Sequence, residues 1–279
     1  MSFDVYTPAS PLNRFVRYLY SPKGPMPYSE EKVLPSPQTD MKINFGGRFR
    51  AKHPGASTSF AIDPNGWCMG VWDQYHTVIW PQDPDFIGVS FRPGGAYALL
   101  GVDVSVLHNQ LIPMESLWGA SFGQLRERLY ASPTPQARFV LLEQLLTARL
   151  HHHAHMEKIA PALFALQAGH GLIEIGGLQQ SANVTQKHLI TMFNRVAGAS
   201  PKRMARLYRL QSLIDSIEHT RPVSWTTVAQ DFMFSDQAHF NKEFKHFTGN
   251  TPGEYLAQRK SVLSRTPEHA VHKRLLPTG

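Results

Sequence analysis

One spacing pattern occurs twice in the C-terminal third of the sequence, and it strongly limits what this part of the chain can fold into. In each copy an apolar residue is followed by Phe four positions later, then by Gly after five more and by Pro after another three. The copies are Leu189, Phe193, Gly198 and Pro201, and then Phe240, Phe244, Gly249 and Pro252. Identical spacing marks an internal repeat. Because Gly ends helices and Pro begins them, the repeat predicts two helical units of the same construction.

Positive charge is concentrated in the half that carries the repeat. Residues 1–156 contain 13 Lys and Arg against 12 Asp and Glu, whereas residues 157–279 contain 15 against 9. A basic half favours a polyanionic partner such as nucleic acid, and the neutral half favours another role. Charge of this size also occurs on ordinary protein surfaces, so it supports nucleic acid only weakly.

Composition excludes several classes of protein. The single cysteine, Cys68, excludes an intramolecular disulfide and any zinc site built from several cysteines. The first residues lack the basic and apolar segments of a signal peptide. No apolar run reaches the roughly 18 residues that a membrane-spanning helix needs. We therefore expect a protein of the reducing cytoplasm, without a membrane partner and without a cofactor.

The N-terminal half has the pattern of a mainly β domain. Short apolar or alternating runs bounded by Pro, Gly and Asp predict strands at 15–20, 41–45, 75–80 and 86–91. Helical spacing follows at 96–100, 114–130 and 137–150. We predict a two-domain α+β protein, with a barrel- or sandwich-like N-terminal domain that has a few helices and an all-α C-terminal domain. The predicted divisions are an N-terminal domain at 1–131, a helical linker at 132–156, a C-terminal domain at 157–265 and a flexible tail at 266–279.

The linker leaves two interpretations open. Its apolar stripe (Phe139, Leu142, Leu145 and Leu146) either packs on the N-terminal domain or faces a second subunit.

Caps and helix breakers place further helices in the C-terminal domain at 159–167, 173–181, 185–197, 202–219, 225–231, 236–247 and 252–260. The long helix at 202–219 joins two helical hairpins.

These hairpins resemble the DNA-binding domain of the AraC/XylS family of bacterial transcription regulators. The resemblance rests on Leu178, Asn183, Thr185, His188, Leu189 and Phe193 in the first unit, and on Ala229, Met233, Ser235, Asp236, His239, Phe240, Phe244 and Thr251-Pro252 in the second. As in the family, the second turn is one residue longer than the first. The resemblance implies two helix-turn-helix units, joined by a long helix, that enter adjacent major grooves about 34 Å apart.

Three positions depart from the family pattern. The family usually has Gly in each turn, where φ is positive, but this chain has Asn183 and Met233. Asn tolerates a positive φ, whereas Met does so only with strain of about 1 kcal/mol or more. Gln179 replaces a small residue in the first hairpin. These changes are expected to reshape a hairpin and not to remove it.

The resemblance assigns roles to polar residues on the second helix of each hairpin. Amides and cations can form paired hydrogen bonds with purine edges in the major groove. The predicted base readers are Lys187, Ile190, Thr191, Gln237, Asn241 and Lys242. The predicted phosphate contacts, which position the protein without reading sequence, are Gln186, Arg195, Lys202, Arg203, Arg206 and Lys245. Leu178, Leu189, Phe193, Val228, Phe234, Phe240, Phe244 and Phe247 are predicted core.

The resemblance also implies partners. These are double-stranded promoter DNA and RNA polymerase, together with a homodimer partner and an unidentified small-molecule effector as further candidates. The stretch at 86–96, with Leu117-Trp118-Gly119, resembles the N-terminal domain of a subgroup of these regulators and implies no known ligand. An aromatic-rich β domain could hold an apolar pocket or be a filled core. Control by a protein partner or a dimer contact, without an effector, is the alternative.

Catalytic and metal motifs are weak in this sequence. No Gly-x-Ser-x-Gly motif supports a hydrolase, and Cys68 lacks the signature of a nucleophile. We therefore predict no enzyme and no catalytic residues; an N-terminal metal-binding or enzymatic domain is the third and weakest alternative. On a helix, His151 and His155 of the run at 151–155 could share a metal ion. We favour a polar interdomain segment there and predict no metal site.

Overall fold

The computed structural model describes residues 2–23, 28–150, 154–218, 222–265 and 274–277. The strands are β1 (Ser2–Tyr6), β2 (Val16–Lys23), β3 (Glu30–Val33), β4 (Asp40–Asn44), β5 (Arg50–Lys52), β6 (Phe60–Ala61), β7 (Gly66–Met69), β8 (His76–Ile79), β9 (Phe86–Phe91), β10 (Leu111–Pro113) and β11 (Leu275–Pro277). The α-helices are α1 (Gly95–Leu100), α2 (Met114–Trp118), α3 (Ala120–Tyr130), α4 (Pro135–Ala148), α5 (Ala154–Ala168), α6 (Ile175–Ala182), α7 (Gln186–Ala197), α8 (Pro201–Ser216), α9 (Trp225–Asp231), α10 (Gln237–Thr248) and α11 (Pro252–Arg265).

The N-terminal strands form two antiparallel sheets. Their orders are β1-β2-β9-β4-β7-β10 and β11-β3-β8-β5-β6. An aromatic cluster joins residues of both sheets, with the ring of Phe49 lying 5.2 Å from Trp67 and 5.7 Å from Phe86. The four predicted strands and the two-domain α+β class are confirmed. The strands that we did not predict include β5, β6 and β10, which have three residues or fewer and therefore almost no alternation to detect.

Helix α4 packs on the N-terminal domain. The Thr134 side chain caps it by accepting a hydrogen bond from the amide of Ala137 at 3.1 Å. On its inner face Phe139, Leu142 and Leu146 are buried. The Phe139 ring stacks on Tyr6 of β1 at 5.7 Å. These three residues of the stripe therefore pack on the N-terminal domain.

The C-terminal helices are arranged around α8. This helix begins at Pro201, and Ser200 caps it by accepting from the amide of Arg203 at 3.4 Å. Its inner face is buried along its whole length (Met204, Leu207, Leu210, Leu213 and Ile214). The helix ends at Ser216, three residues earlier than predicted. One continuous hydrophobic core runs from the first sheet into these helices, so the two halves of the chain pack firmly together.

The predicted flexible tail is wrong for the last described residues. Leu275–Pro277 forms β11, which pairs antiparallel with β3 of the N-terminal domain, and Leu276 is fully buried. Residues 266–273 and 278–279 of that predicted tail lie outside the described residues. A three-residue strand has no periodicity of its own and takes its order from the strand beside it, so the sequence carried no signal for it.

Candidate nucleic-acid interface

The first recognition helix, α7, buries one face and exposes the other. The Thr185 side chain caps it by accepting from the amide of His188 at 3.3 Å. The buried face consists of Leu189, Met192, Phe193 and Val196. The predicted base readers Lys187, Ile190 and Thr191 are exposed on the opposite face. Amphipathic spacing thus separates the core residues from the candidate reading surface.

The second recognition helix, α10, is built in the same way. The Asp236 carboxylate caps it by accepting from the amide of His239 at 2.7 Å. This hydrogen bond holds the pKa of Asp236 below its usual range. The inner face consists of Phe240, Phe244 and Phe247, all buried. The predicted base readers Gln237, Asn241 and Lys242 are exposed.

The turns between the helices of each hairpin have the backbone geometry that the sequence comparison required. Asn183 has φ 48° and Met233 has φ 56°. Both angles lie in the left-handed region, which residues other than Gly, Asn and Asp rarely adopt. The Met233 side chain is 66% exposed and contributes little to the core. Its strain is therefore not offset by burial.

A carboxylate attaches the second recognition helix to α8. Glu243 of α10 accepts from Arg209 at 2.6 Å and lies 3.4 Å from Arg206. His239, one turn earlier on α10, lies 3.6 Å from the same carboxylate. The Glu243 side chain is only 11% exposed, so this contact is strong in comparison with surface ion pairs. It sets the position of α10 relative to the helix that joins the two units.

The predicted phosphate contacts divide into two groups. Three of them are exposed near the recognition helices: Gln186, Lys202 and Lys245. The other three are arginines engaged with carboxylates. Arg195 lies 2.9 Å from Asp103, Arg203 lies 2.9 Å from Asp73, and Arg206 lies 3.4 Å from Glu243. The sequence predicted where these cations lie along the helices, but it did not predict their partners.

Asp73 is the centre of a polar cluster between the two halves of the chain. Its carboxylate accepts from the Asn109 amide at 3.0 Å and lies 3.0 Å from His108 Nε2. Burial alone would raise the pKa of Asp73, but the hydrogen bonds from Asn109 and His108 and the charge of Arg203 bring it below its usual range. Asp73 is therefore anionic at neutral pH and can hold the Arg203 guanidinium.

The N-terminal domain also contacts the ends of both recognition helices. Gly198 ends α7 with φ 82° beside Val104, and Gly249 ends α10 with φ 71° beside the ring of Tyr75. The Tyr75 amide donates to the carbonyl of Phe247 at 2.9 Å. Lys32 Nζ donates to Asn250 Oδ1 at 2.5 Å. The same two glycines of the sequence repeat thus lie at the joint between the two halves.

A cavity of about 370 Å³ lies between the N-terminal sheets and the C-terminal helices. Eight Phe, Tyr and Trp residues line it, α8 contributes Gln211 and Asp215, and Arg274, the residue before β11, is also part of the wall. Glu31 and Asp40 also line it, and burial raises the pKa of Glu31 to about 7. Burial lowers the pKa of His76 to about 3, so this side chain is neutral. The cavity therefore combines aromatic surface with several buried polar groups.

Two sequence-level expectations concern features that the structure describes only in part. In the described ranges, no group of three or more His, Cys, Asp or Glu has a metal-binding arrangement. His151 to His153 lie outside those ranges; His155 Nε2 lies 3.3 Å from Arg195. Within the same ranges no helix has the length and apolar character needed to cross a membrane.

Family models match a segment in each half of the chain. Residues 178–258 match a family described as a helix-turn-helix domain, and residues 4–113 match a domain of unknown function, DUF6597. Among curated proteins, none matches the chain. The helix-turn-helix domain is of the AraC type, as the sequence resemblance implied. The chain is a DNA-binding transcription regulator.

Solved structures that resemble the chain are distant in sequence. One is ToxT from Vibrio cholerae, at 13% identity and a TM-score of 0.44, covering 92% of this chain and 98% of ToxT. Another is ToxT bound to an unsaturated fatty acid, at 13% identity and a TM-score of 0.42, covering 92% and 95%. A third is the AraC-like transcriptional activator CuxR, at 13% identity and a TM-score of 0.23, covering 97% and 89%.

Sequence reasoning missed several residues that organise this surface. Glu243 could have been found, because it follows His239 by one helical turn and faces the same side of α10 as the buried residues. Asp73 and Asp103 gave no signal, since an isolated Asp in a loop has no spacing that predicts a distant arginine. The aromatic residues left an apolar pocket open as an alternative to a filled core, but the polar residues that line this cavity were not predicted.

We predict that Met233→Gly stabilises the protein by about 1 kcal/mol. Gly relieves the left-handed strain, and its greater freedom in the unfolded chain offsets part of that gain. Asn183→Gly is the matched control and is expected to change the free energy of unfolding by less, because Asn tolerates this conformation. Urea denaturation measures both. Equal effects of the two substitutions would show that Met233 is not strained.

We predict that Glu243→Gln destabilises the protein by about 1–3 kcal/mol, because Arg206 and Arg209 lose a partly buried charged acceptor. The exposed Glu127→Gln on α3 is the control and is expected to leave the unfolding free energy unchanged. Urea denaturation at pH 7 compares them. Indistinguishable values for the two variants would mean that the Glu243 contact contributes no more than a surface ion pair.

Proposed function

We propose that the chain binds promoter DNA by inserting α7 and α10 into two successive major grooves on one face of the duplex. The observation that carries this proposal is the separation of faces on both helices. All six predicted base readers are exposed, while Leu189, Phe193, Phe240 and Phe244 of the same helices are buried. Because one connecting helix holds both hairpins, a single chain would cover about two turns of DNA.

The exposed residues support a division between reading and positioning. Lys187, Gln237, Asn241 and Lys242 have the donors and acceptors for purine edges, and Ile190 and Thr191 offer apolar contact to thymine methyl groups. Lys202 and Lys245 are exposed point charges, suited to phosphates that flank each groove. The two recognition helices carry different side chains, so the two half-sites would differ in sequence.

We further propose that the N-terminal domain modulates DNA binding by competing for arginines. Arg203 directs Nε to Asp73 at 2.9 Å. Arg195 directs Nε to Asp103. A guanidinium whose donors are directed at carboxylates cannot offer the same donors to phosphates. Separation of the N-terminal domain from these arginines would therefore strengthen DNA binding.

The interior cavity supports a small-molecule effector as the signal for that separation. Pockets with aromatic walls and a few buried polar groups are typical of small-molecule sites, and this one has walls from both halves of the chain. A ligand that binds more tightly when the halves separate would raise DNA affinity, and one that prefers the closed arrangement would lower it. RNA polymerase and a second copy of the chain are the further partners that we propose for such a regulator.

We predict that Lys242→Ala and Lys202→Ala weaken DNA binding in different ways. Loss of a base reader should reduce affinity about 5- to 100-fold for the preferred site and relax the preference at particular base pairs. Loss of a phosphate contact should weaken all sites alike and lower the salt dependence by about one ion. Footprinting and fluorescence anisotropy over several salt concentrations test both variants on DNA upstream of the protein's own gene.

Two results of that experiment would contradict parts of the proposal. A wild-type footprint shorter than about two turns of duplex would rule out insertion of both helices. If the two variants lost affinity with the same sequence and salt dependence, the division between base readers and phosphate contacts would be wrong.

We predict that the double variant Asp73→Asn/Asp103→Asn binds DNA about 5- to 20-fold more tightly than wild type. Each half-exposed ion pair contributes up to about 1 kcal/mol, and freeing both arginines restores two phosphate contacts. Asp83→Asn/Glu127→Gln removes the same charge from exposed positions and is the matched control. An equal gain in the control would indicate general electrostatics, and no gain in either variant would exclude competition at these arginines.

A further inference from the structure

Residues 274–277, which follow the DNA-binding domain in the sequence, pair with the N-terminal domain. We name residues 274–277 the C-terminal strap. Its β11 strand pairs with β3 in the register Leu275↔Val33, Leu276↔Lys32 and Pro277↔Glu31. The amide of Leu34 donates to the carbonyl of Arg274 at 3.0 Å. The strap therefore covers the edge that β3 would otherwise present to solvent.

The DNA-binding domain holds the other side of the strap. Arg259 of α11 is fully buried and its NH1 group donates to the carbonyl of Leu275 at 3.2 Å. Gln258 donates to the carbonyl of Pro277 at 3.4 Å. Helix α11 directly follows the second recognition helix, so these bonds connect the strap to the helix-turn-helix unit. The strap is thus bound by both halves of the chain at once.

The first residue of the strap also forms part of the cavity wall. Arg274 donates to Gln38 Oε1 at 3.2 Å. Asp40 of β4 and Asp215 of α8 are the carboxylates whose charge acts on it. All four side chains line the cavity. A molecule in the cavity would therefore contact the strap directly.

We propose that the edge of β3 is a strand-addition site whose occupant is the chain's own C-terminal strap, and that strap binding keeps the DNA-binding domain closed against the N-terminal domain. Strand addition uses main-chain hydrogen bonds for affinity and side-chain pockets for specificity. Here the Leu276 side chain is fully buried, and the Arg274 side chain donates a hydrogen bond to Gln38. Release of the strap removes one of the joints that hold Arg195 and Arg203 beside the N-terminal carboxylates. The effect on DNA rests on the proposed function; the strap contact itself does not.

The small size of the strap makes it a reversible joint. Three residue pairs join β11 to β3, fewer than the five that join β4 to β9, and Leu276 and Pro277 are the two strand residues that are buried. Two-stranded contacts of this length are marginal unless other elements support them. Arg259 and Gln258 supply that support only in the closed arrangement, so closing and strap binding favour each other.

The first experiment uses full-length Leu276→Asp, with Val140→Asp on the exposed face of α4 as the matched control. Asp at the buried position should expel the strap, so hydrogen exchange of residues 31–34 rises at least fivefold while that of β2 and β9 is unchanged. DNA affinity should rise at least fivefold, within the usual range of coupling between sites. Arg274→Gln, which keeps the strand residues, should give a smaller change in the same direction.

The second experiment restores the strap in trans. A chain that ends at Lys273 should show the same fast exchange at residues 31–34 and the same gain in DNA affinity. Addition of a synthetic peptide of residues 272–279 should reverse both, whereas a peptide of scrambled sequence should reverse neither. Recovery by the peptide shows that the truncated chain is folded and that its β3 edge is intact.

The outcomes distinguish the strap from the proposed function. Unchanged exchange at residues 31–34 in Leu276→Asp and in the truncated chain overturns the strand-addition site. Faster exchange with unchanged DNA affinity overturns its role in closing the DNA-binding domain. Failure of the wild-type chain and of every variant to bind DNA contradicts the proposed function, while the exchange and peptide results still decide whether the strap occupies β3.

Discussion

A left-handed glycine ends each recognition helix, and both the sequence repeat and the joint between the two halves depend on it. Gly198 and Gly249 have φ values of 82° and 71°, which would cost a residue with a side chain about 1–2 kcal/mol. The missing side chain also permits close approach: a Cβ at Gly249 would lie 2.3 Å from the Tyr75 ring, and one at Gly198 would lie 3.0 Å from Val104. The N-terminal domain therefore meets both units at equivalent positions.

This contact between the two halves places Asp73 and Asp103 of the N-terminal domain beside two arginines close to the exposed faces of the recognition helices. Arg195 lies in the last turn of α7 and Arg203 in the first turn of α8. Carboxylates and phosphates offer a guanidinium similar acceptors, so only one of them can be satisfied at a time. The pairs are half-exposed and individually weak. A duplex with many phosphates can outcompete them, which suits graded control better than complete inhibition.

Local patterns made the helix-turn-helix units predictable, whereas contacts between distant segments were not. Thr185 and Asp236 cap the recognition helices as their sequence positions indicate, because capping involves residues three positions apart. The sequence also identified Arg203 as a cation near the recognition helices. It did not identify the partner Asp73, which lies in a distant loop with no periodic pattern. β11 was missed for a related reason, since Leu275–Pro277 is a strand only because the β3 edge accepts it. Tertiary partners decide both cases.

The cavity connects these contacts because α8 and the C-terminal strap share its wall. Helix α8 contributes Gln211 and Asp215 to the cavity and carries Arg203, Arg206 and Arg209 on other faces. Packed helices move as units and do not deform gradually, so a shift of α8 would change the position of both recognition helices together. A molecule in the cavity can change DNA affinity only as far as it binds the closed and open arrangements differently. Arg274 provides a direct link between ligand and strap. A ligand that binds Gln38, Asp40 or Asp215 in place of Arg274 favours release of the strap.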